Sequence, residues 1–137
     1  QCYPEFEKNP LQTAVTPKRD FIEIFNNRSD SSAYFLVTSD LNPNKVKAYN
    51  NKIYDCSGYI FSQGNFMLFE FYNNTIVNAP ELGITLTGDV IKMNNNSFKN
   101  VIKFFGMDKK TFINSNYKFD KSKVAPKVFE FKNNKVL

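Results

Sequence analysis

The sequence predicts an all-β chain of short, stacked parallel strands, and three observations predict it. An eight-residue pattern recurs: Phe69-Glu70-Phe71-Tyr72-Asn73-Asn74-Thr75-Ile76 and Phe129-Glu130-Phe131-Lys132-Asn133-Asn134-Lys135-Val136 nearly coincide. The stretches 22–27, 46–53 and 91–98 fit the same template, and 111–116 is a degenerate copy. The second Asn of each copy falls at 27, 51, 74, 96, 116 and 134, in steps of 24, 23, 22, 20 and 18 residues. Before each Asn pair, apolar and charged residues alternate with the period of a strand, and no segment carries a capped apolar stripe of helical period. Self-similarity at a period near 20 residues is the signature of a stacked repeat.

Each element follows in order along the chain. Residues 1–20, with Pro4, Pro10 and Pro17, read as an N-terminal cap or lead-in, and 21–137 as the repeats. A unit opens with an apolar-charged-apolar strand. Asn-Asn turns the corner, because Asn tolerates the left-handed backbone region. A second short strand follows, as in Ile53-Tyr54, Ile76-Val77 and Phe98-Lys99. Then comes a turn, Asp55-Cys56-Ser57-Gly58 or Asn78-Ala79-Pro80-Glu81, and a third apolar run at 34–37, 59–61, 84–86 and 102–105. Turn residues at 40–43, 63–65, 87–89 and 106–108 close the units. Three short strands per unit, repeated, make a parallel β-helix. The chain stops inside a repeat, at Leu137. It is therefore expected to be a fragment of a longer solenoid, or to have its open C-terminal rung covered by a partner.

The motif resembles the right-handed, pectate-lyase-like parallel β-helix. The residues that carry the likeness are the Asn corners 51, 74, 96, 116 and 134 with the strand triplets before them, and it covers 21–137. The resemblance implies about five to six short rungs with Asn side chains stacked in a ladder: Asn27, Asn51, Asn74, Asn96, Asn116 and Asn134. A carboxamide both donates and accepts, so identical amides one rung apart bond in a chain.

Aligning the copies predicts three rows. The charged middle position reads Glu23, Lys47, Glu70, Lys92, Phe112 and Glu130, an alternating charge ladder over its first four members. Stacked about 4.8 Å apart, opposite charges support one register and like charges oppose it. The apolar rows, Ile22-Val46-Phe69-Ile91-Thr111-Phe129 and Ile24-Ala48-Phe71-Met93-Ile113-Phe131, are expected to face inward. The fourth position reads Phe25, Tyr49, Tyr72, Asn94, Asn114 and Lys132. Its three aromatics either form a platform for a sugar face or stack on one another and protect the sheet.

Composition narrows the function. The chain has 137 residues, 19 of them Asn, and a formal net charge of +5. With no His, His-based triads and the H-E-x-x-H metal motif are excluded. Only Arg19 and Arg28 are arginines, and the basic cluster Lys118, Lys121, Lys123 and Lys127 is diluted by Asp120, so no nucleic-acid partner is expected. Cys2 and Cys56 are too few for a zinc site; they either pair or stand as separate thiols. No apolar run is long enough to span a membrane. Proteins of the resembled fold are often polysaccharide lyases or glycoside hydrolases, but no pair of carboxylates flanking a bond is evident here. The expectation is a non-catalytic extracellular module, secreted or on the cell surface, that contacts glycans or serves as a scaffold. It needs no cofactor or metal, and its partners are a polysaccharide, further domains or another copy. Two alternatives stand beside it: a fragment of a polysaccharide lyase or glycoside hydrolase, and an end-to-end assembly module.

Overall fold

At each Asn-Asn pair the chain crosses from one sheet to another. The computed structural model describes residues 22–37, 44–61, 65–83, 87–118 and 126–137. The expected lead-in over 1–20, Cys2, and the strand expected over 84–86 lie outside these residues. The elements are β1 (Ile22–Phe25), β2 (Arg28–Asp30), β3 (Tyr34–Leu36), β4 (Asn44–Tyr49), β5 (Lys52–Tyr54), β6 (Tyr59–Phe61), β7 (Asn65–Tyr72), β8 (Thr75–Gly83), β9 (Thr87–Asn94), β10 (Ser97–Phe104), β11 (Met107–Asp108), helix α1 (Lys109–Asn114), β12 (Val128–Lys132) and β13 (Lys135–Val136). One sheet runs β1-β4-β7-β9-β12; the other runs β11-β10-β8-β5-β2, with β6 joined to β8 and β3, and β13 to β10. Among the described residues every pairing is parallel except β10 with β11. The chain is all-β in character, with parallel sheets.

The corner has a simple cause. The first Asn of each pair is left-handed: Asn26, Asn50, Asn73, Asn95 and Asn133 have φ of 57°, 56°, 54°, 60° and 57°. The second Asn turns its amide inward. Asn51, Asn74 and Asn96 are buried, and no buried side-chain polar atom among the described residues lacks a partner. Asn27, Asn51, Asn74 and Asn96 each donate a backbone N–H to the carboxamide oxygen of the next Asn, at 3.1, 3.0, 2.9 and 2.8 Å. Their Nδ2 atoms donate to the same oxygens at 3.2, 3.0, 3.2 and 3.0 Å. The other Nδ2 hydrogen of Asn51, Asn74 and Asn96 goes back to the Ile24, Ala48 and Phe71 carbonyls, and Asn134 Nδ2 donates to the Met93 carbonyl. The ladder is thus continuous from Asn27 to Asn134.

The alternating strands fill the core between the sheets. Val46, Ala48, Phe69, Phe71, Ile91 and Met93 are buried, opposite Ile53, Ile76 and Phe98 of the second sheet. Phe71 pairs in register with Ala48, so a large ring sits beside a small side chain. Phe61 packs its edge on Phe69 and Phe71, with centroids at 5.1 and 4.9 Å. Gly88, at φ 132°, lies against Phe66; a Cβ there would fall 1.7 Å from the Phe66 carbonyl oxygen.

The degenerate copy corrects the expected stack. Residues 109–114 form a helix, not a strand. Asp108 caps it by accepting from the Thr111 N–H at 2.7 Å. A strand through Thr111-Phe112-Ile113 sets polar Thr111 in the inward row and Phe112 outside. The helix reverses this: Thr111 is exposed and Phe112 is fully buried. Phe112 packs on Phe104 at 5.0 Å and Phe131 at 5.2 Å, closing the core beside the last strand of the first sheet. Asn116 therefore leaves the ladder, and Asn96 bonds directly to Asn134, 38 residues on. The turn expected at 78–81 is also different. Asn78, at φ 63°, bends β8 without ending it.

Candidate functional site

Two surfaces carry rows of side chains. On the first sheet, Glu23 pairs in register with Lys47, Lys47 with Glu70, and Glu70 with Lys92. With the helix removed from the stack, Lys92 meets Glu130. The alternation then runs through five consecutive strands. Asn94 donates to Glu130 at 2.6 Å, and that hydrogen bond, reinforced by Lys132 and Lys92, holds the Glu130 carboxyl below its ordinary pKa.

Phe25, Tyr49 and Tyr72 share a row on the same face. Phe25 and Tyr49 stack at 5.1 Å with planes 4° apart; Tyr49 and Tyr72 stack at 5.0 Å and 5°. The rings repeat at nearly the strand spacing, so parallel strands alone bring them into offset contact. Both faces of Tyr49 are covered by its neighbours, while Phe25 and Tyr72 each stack on one side. Burial, then the charges of Tyr49, Glu70 and Glu23, raises the Tyr72 phenol pKa.

The second surface follows β5, β8 and β10 and was not assembled from the sequence. Ser31, Asp55, Asn78 and Asn100 all have left-handed φ, at 57°, 56°, 63° and 55°. They form a second corner. Asn78 Nδ2 donates to Asp55 Oδ1 at 2.7 Å, and Asn100 Nδ2 to Asn78 Oδ1 at 2.9 Å. The signal was present, since each stands four residues after the second Asn of its pair. Ser, Asp and Asn hide one backbone requirement behind three residue names, so no repeated residue type marks this corner.

Beyond this corner Tyr34 and Tyr59 stack at 5.7 Å, their planes 23° apart. Tyr59 is in register with Glu81, and Glu81 with Lys103. A shallow groove of about 430 Å³ runs from the two tyrosines past Pro80 to Ile102 and Lys103. It adjoins a second hollow of about 390 Å³ floored by Asp55, Asn78 and Asn100, and the two share Ser57, Pro80 and Ile102. Glu81 is buried and accepts from the Gly106 N–H at 2.9 Å. Cys56 is a free, buried thiol whose Sγ donates to the Ala33 carbonyl at 3.1 Å; burial raises its pKa.

The chemistry these groups offer is hydrogen bonding and ring stacking. Among the described residues no cluster of three His, Cys, Asp or Glu side chains is placed to hold a metal ion. Among them, too, no helix is long and apolar enough to cross a membrane. No family model, curated protein or solved structure matches the chain.

Proposed function

We propose that the chain is a right-handed parallel β-helix module, of the pectate-lyase-like kind, from a secreted or cell-surface protein. In this reading it works as a non-catalytic scaffold that holds a glycan. The observation that carries the reading is the continuous ladder from Asn27 to Asn134, in which each corner is tied to the repeat before and after it. A stack held in this way is stiff along its axis and repeats its surface side chains at a fixed spacing, which suits a polymer with its own repeat. The glycan-contacting part is better served by the Tyr59 groove than by Tyr49, whose ring faces are occupied.

Affinity electrophoresis through gels containing neutral and acidic polysaccharides tests this, with reducing ends and unsaturated products assayed in the same gels with and without Ca²⁺. Retarded migration without products is expected. Products in either assay overturn the non-catalytic reading in favour of a lyase or hydrolase fragment.

End-to-end assembly is the second reading, and one observation favours it. Among the described residues β12 pairs only with β9 and β1 only with β4. Charge opposes it. Stacking a second copy in register sets Glu130 against Glu23 and Lys135 against Arg28, like against like in both rows.

A further inference from the structure

We infer that the groove beside Tyr59 is a subsite for one neutral hexopyranose ring of a glycan. The inference rests on the glycan-holding reading above and names where and what is held. Tyr49 is sandwiched, and Tyr72 ends its row beside Asn94, whose amide is bonded to Glu130. Among the described residues Tyr59 ends the other row, with a ring neighbour on the Tyr34 side only, and it lines the groove. The next residue in its row is Glu81, whose carboxylate is buried and accepts from the Gly106 N–H. The ring ladder therefore breaks after Tyr59, and the 430 Å³ groove lies where the row's next ring is missing. Ile102, 54% exposed, and Pro80 add an apolar floor.

A pyranose has an apolar C–H face and a polar hydroxyl rim. The apolar face suits Tyr59 and Ile102. The rim meets the row Asp55–Asn78–Asn100. Within it each amide spends one Nδ2 hydrogen on its neighbour, leaving further donors and acceptors for hydroxyls. Glu81 and Lys103 line the groove and Asp55 the adjoining hollow, so the charge there is mixed and gives no net cationic pull toward an acidic sugar.

Affinity electrophoresis in mixed-linkage β-glucan, galactomannan, xyloglucan and polygalacturonate tests it, using the whole chain. Wild type should be retarded in at least one neutral gel. Tyr59→Ala and Ile102→Arg should each weaken that retardation about tenfold or more, as for a residue at the centre of a contact. Tyr49→Ala should leave it unchanged. Far-UV circular dichroism and Tm establish that each variant is folded; Ile102→Arg, at an exposed position, serves if Tyr59→Ala is not. Absence of retardation by folded wild type in every neutral gel overturns the subsite, and absence in polygalacturonate as well overturns the glycan-holding reading with it. Retardation kept by Ile102→Arg but lost by Tyr49→Ala overturns the subsite and leaves glycan binding standing elsewhere. Retardation in polygalacturonate alone overturns the neutral class.

Discussion

Asn74 uses its side chain completely. Its Oδ1 accepts from the Asn51 N–H and Nδ2, and its own Nδ2 donates to Ala48 and Asn96 oxygens. Replacing it with Ala removes four bonds and strands a buried N–H on Asn51. Each orphaned buried group costs roughly 1–3 kcal/mol, so Asn74→Ala is expected to lose about 3 kcal/mol or more in urea unfolding. Its neighbour Asn73 is exposed and left-handed at φ 54°; there Gly should be nearly neutral and Ala should cost about 1 kcal/mol. Equal costs at the two positions would sink the division of labour within the corner. Glu130 tests the end of the charge ladder. Its pKa is lowered mainly by the Asn94 hydrogen bond, so its contribution is present above the unfolded carboxylate pKa, about 4.3, and is lost as pH falls through the lower folded value. In an NMR titration Asn94→Ala should move the Glu130 midpoint upward, and an unmoved midpoint counts against the bond.

Rows and helices obey different rules at the scale of elements. The Phe25-Tyr49-Tyr72 stack exists because parallel strands in register repeat one position at one spacing. Each stacked pair is worth roughly 0.5–1.5 kcal/mol, so Tyr49→Ala, which breaks two, should cost about 1–3 kcal/mol in chemical denaturation. A loss below the error of the measurement makes the stack decorative. Helix α1 answers a different need. The expected strand over 111–116 fails because its alternation is out of phase with the rows, placing Thr111 inward and Phe112 outward, whereas one capped helical turn buries Phe112 completely. Phe112→Ala should cost about 3–5 kcal/mol, as for a buried ring elsewhere. Amide exchange should quicken first in β10 and β12, which Phe112 bridges through Phe104 and Phe131. Uniform quickening across both sheets removes the helix as a local closure.

For the whole molecule the question is what happens at the ends of the two sheets. Like charges in both rows predict a monomer by sedimentation velocity across micromolar concentrations; Glu23→Lys combined with Arg28→Glu should promote association. Wild-type association that grows with concentration revives the assembly reading. Much of this architecture was legible along the chain. The parallel register of Glu23, Lys47, Glu70 and Lys92, the inward rows through Met93, and the ladder from Asn27 through Asn96 to Asn134 all follow from near-identical copies, since stacked copies must present identical positions to one another. Spacing alone misplaced Asn116, because a helix and a strand both satisfy a polar residue at that distance. It also missed the second corner and the groove. Asp55, Asn78 and Asn100 share a backbone conformation, not a residue type, and the ring row ends at Tyr59 because the next position is Glu81, which accepts from Gly106. Sequence by itself determined the repeat, its register and its rows, because those depend on local pattern. Only the tertiary structure decided how the core is closed and where a surface is left uncovered, because both depend on contacts between residues far apart in the chain.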